Sequence, residues 1–120
     1  WSFDGKPYAI LTCSDRTENT LDLNVYDLDW NVRPGVLVES AHYKDGAGNI
    51  PKPSCLDEML ESASILSEGF PEVRVDFYEA GGKLYFGEMT FSSFFGKMGY
   101  FTDDFLVELG AQCVLPRKKR

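Results

Sequence analysis

At 120 residues the chain is one domain's worth of polymer, and 43% apolar with 14% aromatic residues give it a real but modest core. Its net charge is −7, and four of its twelve basic residues are the last four, Arg117-Lys-Lys-Arg120. Without them eight basic residues face nineteen acidic ones, a net charge of −11 that repels nucleic acid phosphates.

In chain order, Trp1-Ser-Phe-Asp-Gly5 has neither the basic start nor the apolar run of a secretory signal. No apolar stretch nears the roughly 20 residues of a membrane span. The chain lacks an initiator Met and opens on what reads as a strand, so a fragment of a longer protein is expected. Phe3 to Thr12 reads as a strand end, an Asp4-Gly5 turn and a second strand. Cys13 to Thr20 is a loop or strand end. Leu23 to Trp30 is a third strand, Pro34-Gly35 a turn and Val36 to Glu39 a short fourth strand. His42 to Pro53, rich in Gly, Asp, Asn and Pro, reads as a loop.

Ser54 then opens a helix as its N-cap, with Asp57 three residues on in the manner of a capping box. Leu56, Met59, Leu60, Ala63 and Leu66 keep helical spacing, and Gly69 before Phe70-Pro71 is a natural stop. Two strands follow, Val73 to Glu79 and Lys83 to Phe91, joined at Ala80-Gly81-Gly82. Ser92 to Tyr100 is a loop, and Thr102-Asp103-Asp104 caps a shorter helix through about Gly110. The order β-β-β-β-α-β-β-α predicts an α+β domain over residues 1–116, a largely antiparallel sheet with two helices, followed by a basic tail over 117–120.

Chemistry concentrates on the hairpin. Asp76 interrupts an apolar run and Glu88 sits between Gly87 and Met89. Strands disfavour Asp, and carboxylates are seldom buried without a partner. The register decides whether the two acids meet. A three-residue loop puts Arg74 opposite Glu88 and Asp76 diagonal to it, within roughly 7–8 Å at Cβ, close enough to share a hard cation through oxygen. A two-residue primed turn at Gly81-Gly82 sends the acids to opposite faces, and the site disappears. The bland alternative is a cross-strand ion pair between Arg74 and a strand acid, of roughly 0.2–1 kcal/mol.

Elsewhere the residues offer less. Cys13, Cys55 and Cys113 have no metal or redox spacing and read as reduced, mostly buried thiols of a cytoplasmic protein. His42 is the only histidine, which leaves histidine-based catalysis little support. Arg16 could reach a phosphate or a substrate carboxylate, or be a solvated cation balanced by Asp15. Lys97, in a loop bordered by glycines, presents the same two readings. Met59 and the aromatic group Phe91, Phe94 and Phe95 read as core. Trp30 with Tyr26 reads as packing, although a sugar or base could stack there. The basic tail could touch an anionic membrane surface or be a solvated end.

Arg74-Val-Asp76, a glycine turn, Tyr85-Phe-Gly-Glu88 and Thr90 resemble the metal-binding hairpin of the ATP-grasp superfamily. More closely, the chain is similar to the TupA-like (teichuronopeptide-biosynthesis) branch. Phe3-Asp-Gly-Lys-Pro7, Ser14-Asp-Arg16, Tyr26-Asp27 with Trp30-Asn31, Pro53 to Met59, Phe70 to Tyr78, Phe86 to Phe91, Gly96 and Phe101-Thr102 carry that likeness. It implies the C-terminal half of an ATP-binding unit. Asp76 and Glu88 would hold Mg²⁺ on the ATP phosphates, and Thr90 would stand where many relatives have a metal-binding Asn. Arg74 would steady an acyl-phosphate intermediate, and Arg16 and Lys97 would be nucleotide contacts. The implied activity is a carboxylate-activating ligase of bacterial surface-polysaccharide assembly, acting on a nucleotide and a small-molecule or glycan-linked substrate. A non-catalytic module binding a glycan or a protein, or a sugar transferase of the same pathway, is the alternative.

Overall fold

The chain folds as five short strands, a helix, a long hairpin and a second helix. The computed structural model describes residues 1–118; of the expected tail, Arg117 and Lys118 are exposed and positions 119 and 120 lie outside the described residues. Strands β1 (Ser2–Phe3) and β2 (Lys6–Pro7) pair across the Asp4-Gly5 turn, as the sequence predicts. Strand β3 (Ile10–Ser14) then pairs antiparallel with β4 (Leu21–Tyr26). Helix α1 (Leu56–Ser67) precedes the hairpin of β6 (Arg74–Ala80) and β7 (Lys83–Thr90), and α2 (Asp103–Gln112) follows it. The result is α+β with mainly antiparallel sheets and two helices.

Several local expectations change. The third strand ends at Tyr26 because the Asp27 carboxylate accepts from the backbone N–H groups of Asp29 and Asn31 at 2.9 and 2.8 Å, folding the chain back. Val36 to Glu39 forms no strand; Leu37 makes a single bridge to Phe101. The segment read as a loop from His42 contains β5 (Tyr43–Asp45), which runs parallel to β4. Ser54 does not cap α1 by its side chain. Its hydroxyl instead donates to Glu79 Oε1 at 2.6 Å, and the Cys55 N–H donates to the same oxygen at 3.1 Å. A carboxylate from β6 thus satisfies the first turn of α1, where the helix dipole favours negative charge. Gly69 ends that helix as expected, and Thr102 caps α2 by accepting from the Phe105 N–H.

The core gathers Leu23 and Val25 from β4, Phe3 from β1, Phe105 and Leu109 from α2, and Phe101 between them. Strand β4 is enclosed on both faces, which is why its apolar alternation is imperfect. Arg33 fastens α2 to this body through both oxygens of Glu108 at 2.9 Å, and Tyr8 donates to Glu108 at 2.6 Å. Those three bonds hold the Glu108 carboxyl below its ordinary value, Tyr8 contributing most. Tyr26 and Trp30 stack on each other with ring centres 4.2 Å apart, the packing role read from sequence. Met59 is only half-buried and stands outside the main cluster. Phe91, Phe94 and Phe95 are not core. They lie 53%, 56% and 96% exposed, and Phe94 and Phe95 hold left-handed φ angles of 47° and 53° that turn the chain outward after β7.

Candidate functional site

The hairpin's register follows neither of the two simple alternatives. Ala80 pairs with Lys83, so the connection is the two-residue Gly81-Gly82 turn, with φ of 57° and 75° at the two glycines. On its own that turn would send Asp76 and Glu88 to opposite faces. A bulge reverses the outcome: Phe77 pairs with Phe86 but Asp76 pairs with Glu88, leaving Gly87 as the extra residue. From there the ladder continues Val75 with Met89 and Arg74 with Thr90. One inserted residue restores the shared face, since side chains alternate with a period of two.

Glycine at 87 has a spatial cause. A Cβ there would lie 2.8 Å from Tyr78 Cε2 and 3.0 Å from the Asp76 carbonyl oxygen. The Tyr78 ring occupies that space, on the same face as Asp76 because it follows two residues later.

Arg74, Asp76, Glu88 and Thr90 therefore converge. Arg74 grips Asp76 with two bonds, Nε to Oδ1 at 2.8 Å and Nη2 to Oδ2 at 3.0 Å. The same Nη2 lies 3.2 Å from Glu88 Oε1 and 3.3 Å from Thr90 Oγ1. Nη1 donates to Ser93 Oγ at 3.2 Å, and the guanidinium carbon lies 5.9 Å from the centre of the Trp1 ring. Side-chain exposure rises from 20% at Arg74 through 32% at Asp76 to 65% at Glu88, so the cluster is rooted in the body and opens to solvent through Glu88. Burial works against the Arg74 charge, and the bonds and charge of Asp76 more than offset it, raising its pKa. Burial also pushes the nearby Tyr100 phenol up to about 12, against the pull of the Arg74 cation.

The other expected contacts stand apart from this cluster. Arg16 is exposed in the segment that joins β3 to β4. Arg16 makes no side-chain hydrogen bond or ion pair among the described residues. Lys97 lines an open cavity of about 410 Å³ with Val38, Met98, Phe101, Thr102 and Leu106, and none of Arg74, Asp76, Glu88 or Thr90 borders it. The sequence reading missed Ser93, which is only 3% exposed. Its one signal was a small polar residue between phenylalanines, too common a pattern to single out.

Among the described residues no three His, Cys, Asp or Glu side chains cluster as a ready-made metal cage. Two carboxylates and one hydroxyl, all hard oxygen donors, nonetheless suit Mg²⁺. That ion usually takes one or two protein carboxylates and completes its shell with waters and substrate phosphates. No helix of the described residues is long and apolar enough to cross a membrane. Compared with known proteins, residues 1–114 match the family model described as TupA-like ATPgrasp. No curated protein and no solved structure gives a significant match.

Proposed function

The chain belongs to the TupA-like ATPgrasp family, and on that premise we propose that its β6–β7 hairpin is the metal-binding wall of an Mg²⁺·ATP site in a carboxylate-activating ligase. The observation that carries this reading is the convergence of Arg74, Asp76, Glu88 and Thr90 across the bulge at Gly87. Asp76 and Glu88, with Thr90, would hold Mg²⁺, which when bound supplies neutralising charge to the phosphates of the nucleotide.

The chain's own residues would do the rest. Arg74 is a permanent cation beside that position, placed to steady the oxygens of the phosphoryl group while a substrate carboxylate accepts it. An amine or thiol would then displace phosphate from the acyl phosphate. Arg16 and Lys97 would contribute positive charge toward the nucleotide from neighbouring segments. The activity would serve bacterial cell-surface polysaccharide or teichuronopeptide assembly in the cytoplasm, with residues 1–116 as the C-terminal half of the nucleotide-binding unit.

Binding of Mg²⁺·ATP to the full-length protein, followed calorimetrically, tests the reading. Asp76→Asn and Glu88→Gln should each abolish it, and unchanged affinity in both variants would end the metal proposal. A second reading, a non-catalytic glycan-binding module, draws on the exposure of Tyr78 (66%) and Tyr85 (51%), an opposed aromatic pair suited to a sugar ring. Glycan binding that needs no nucleotide and survives Glu88→Gln would favour it.

A further inference from the structure

One nitrogen of Arg74 has more acceptors than it can serve. Nη2 carries two hydrogens, yet Asp76 Oδ2, Glu88 Oε1 and Thr90 Oγ1 all lie within 3.3 Å of it. The nitrogen sits amid the three oxygens that a shared cation would use. Mg²⁺ draws its oxygens to about 2.0–2.1 Å, which leaves no room for Nη2 among them. Metal and Nη2 therefore exclude one another from this position, and metal entry must release that end of the guanidinium. It also weakens the Nε bond to Asp76, since the carboxylate then shares its charge with the metal.

Two contacts of Arg74 lie outside the oxygen triad. One is the Trp1 ring, which supports the guanidinium without fixing its rotation. The other is Ser93, whose Oγ accepts from Nη1 at 3.2 Å. Ser93 is enclosed at 3% exposure and stands at the head of the strained turn through Phe94 and Phe95, so its hydroxyl is fixed relative to the body.

We propose that Ser93 is the positioning residue for Arg74. When a cation takes the oxygens of Asp76, Glu88 and Thr90, the Ser93 hydroxyl holds the displaced guanidinium over the site, aimed at the incoming phosphate. This rests on the Mg²⁺ reading above.

Nuclear magnetic resonance of the full chain tests it, using MgCl₂ alone as the probe. Exchange between the Arg74 Nη1 and Nη2 resonances reports rotation of the guanidinium. Without metal, rotation should be slow in the wild type and in Ser93→Ala, since Asp76 grips two of the nitrogens. With Mg²⁺ it should stay slow in the wild type and become about tenfold faster in Ser93→Ala, the ratio expected for one lost hydrogen bond. Ser93→Cys, close in volume but a weak acceptor, should behave like the alanine variant, and Ser93→Thr should restore slow rotation. Faster rotation in Ser93→Ala with and without metal would show a merely structural role and overturn the proposal. Equal rates in wild type and Ser93→Ala with metal bound would overturn it too. If Mg²⁺ leaves the carboxylate carbon shifts of Asp76 and Glu88 unmoved, the metal reading fails and takes this proposal with it.

Discussion

Around Val25, Phe101 and Phe105 side chains are 1–3% exposed, whereas on the hairpin Tyr78, Tyr85 and Phe86 are 51–66% exposed. The first region is held by apolar burial and by the clamp of Arg33 on Glu108. The second is held by a ladder, a bulge and one arginine shared among four side chains. The two meet at a few points besides the hold of Glu79 on the first turn of α1. Ser2 and Val73 exchange backbone hydrogen bonds at 2.8 and 2.9 Å, and Ser93 and Trp1 touch Arg74. The division implies that stability and ligand chemistry can be altered separately in this chain.

The largest expected effect falls on the body. Phe105→Ala should cost about 3–5 kcal/mol, because a fully enclosed ring leaves a cavity, and urea denaturation would show it. If the fold persists, metal affinity should be nearly unchanged; a parallel loss would break the distinction between the regions. Next comes Gly87→Ala, expected to cost about 1–3 kcal/mol because its Cβ meets the Asp76 carbonyl at 3.0 Å. Here nucleotide affinity should also fall at least tenfold, because losing the bulge separates the carboxylates. Retained affinity would show that the bulge does not set the site.

Glu88→Gln sharpens the contrast from the other side. Its side chain is 65% exposed, so the melting temperature should hardly move while Mg²⁺·ATP binding is lost. The smallest effect concerns pH. Glu79 has its carboxyl held below the ordinary value, first by the Ser54 hydroxyl and then by Cys55. The stabilisation it gives is fully present above the unfolded glutamate value of about 4.3 and is lost as pH falls through the lower folded one. The difference in urea midpoint between wild type and Glu79→Gln should therefore vanish in acid. A difference that persists there would mean that Glu79 acts through packing.

Much of this was legible in the sequence because it depends on local rules. Asp4-Gly5, Gly69 and the Thr102 cap each mark a boundary through their own backbone chemistry. The set Arg74, Asp76, Glu88 and Thr90 was visible as polar residues out of place in apolar strands. The bulge was not, because counting residues from a turn assumes an unbroken ladder, and only the pairing of Asp76 with Glu88 beside that of Phe77 with Phe86 shows the insertion. Strand β5 was hidden by its Gly- and Asp-rich surroundings, its pairing being made with β4, distant in sequence. Phe95 was misread because hydrophobicity does not reveal a left-handed backbone. Ser54 had a plausible local partner in Asp57, but Glu79, 25 residues later, provided the contact.

The inserted Gly87 also bears on how this molecule meets other chains. Among the described residues β6 and β7 form a two-stranded ribbon, so the outer side of β7 is an eight-residue row of backbone groups with no neighbouring strand. Such a row invites a foreign strand to add itself and propagate. An extra residue midway breaks the regular spacing that an added strand would need. The irregularity that brings two acids together thus doubles as a guard against self-association, and a variant with a regular β7 would be expected to aggregate.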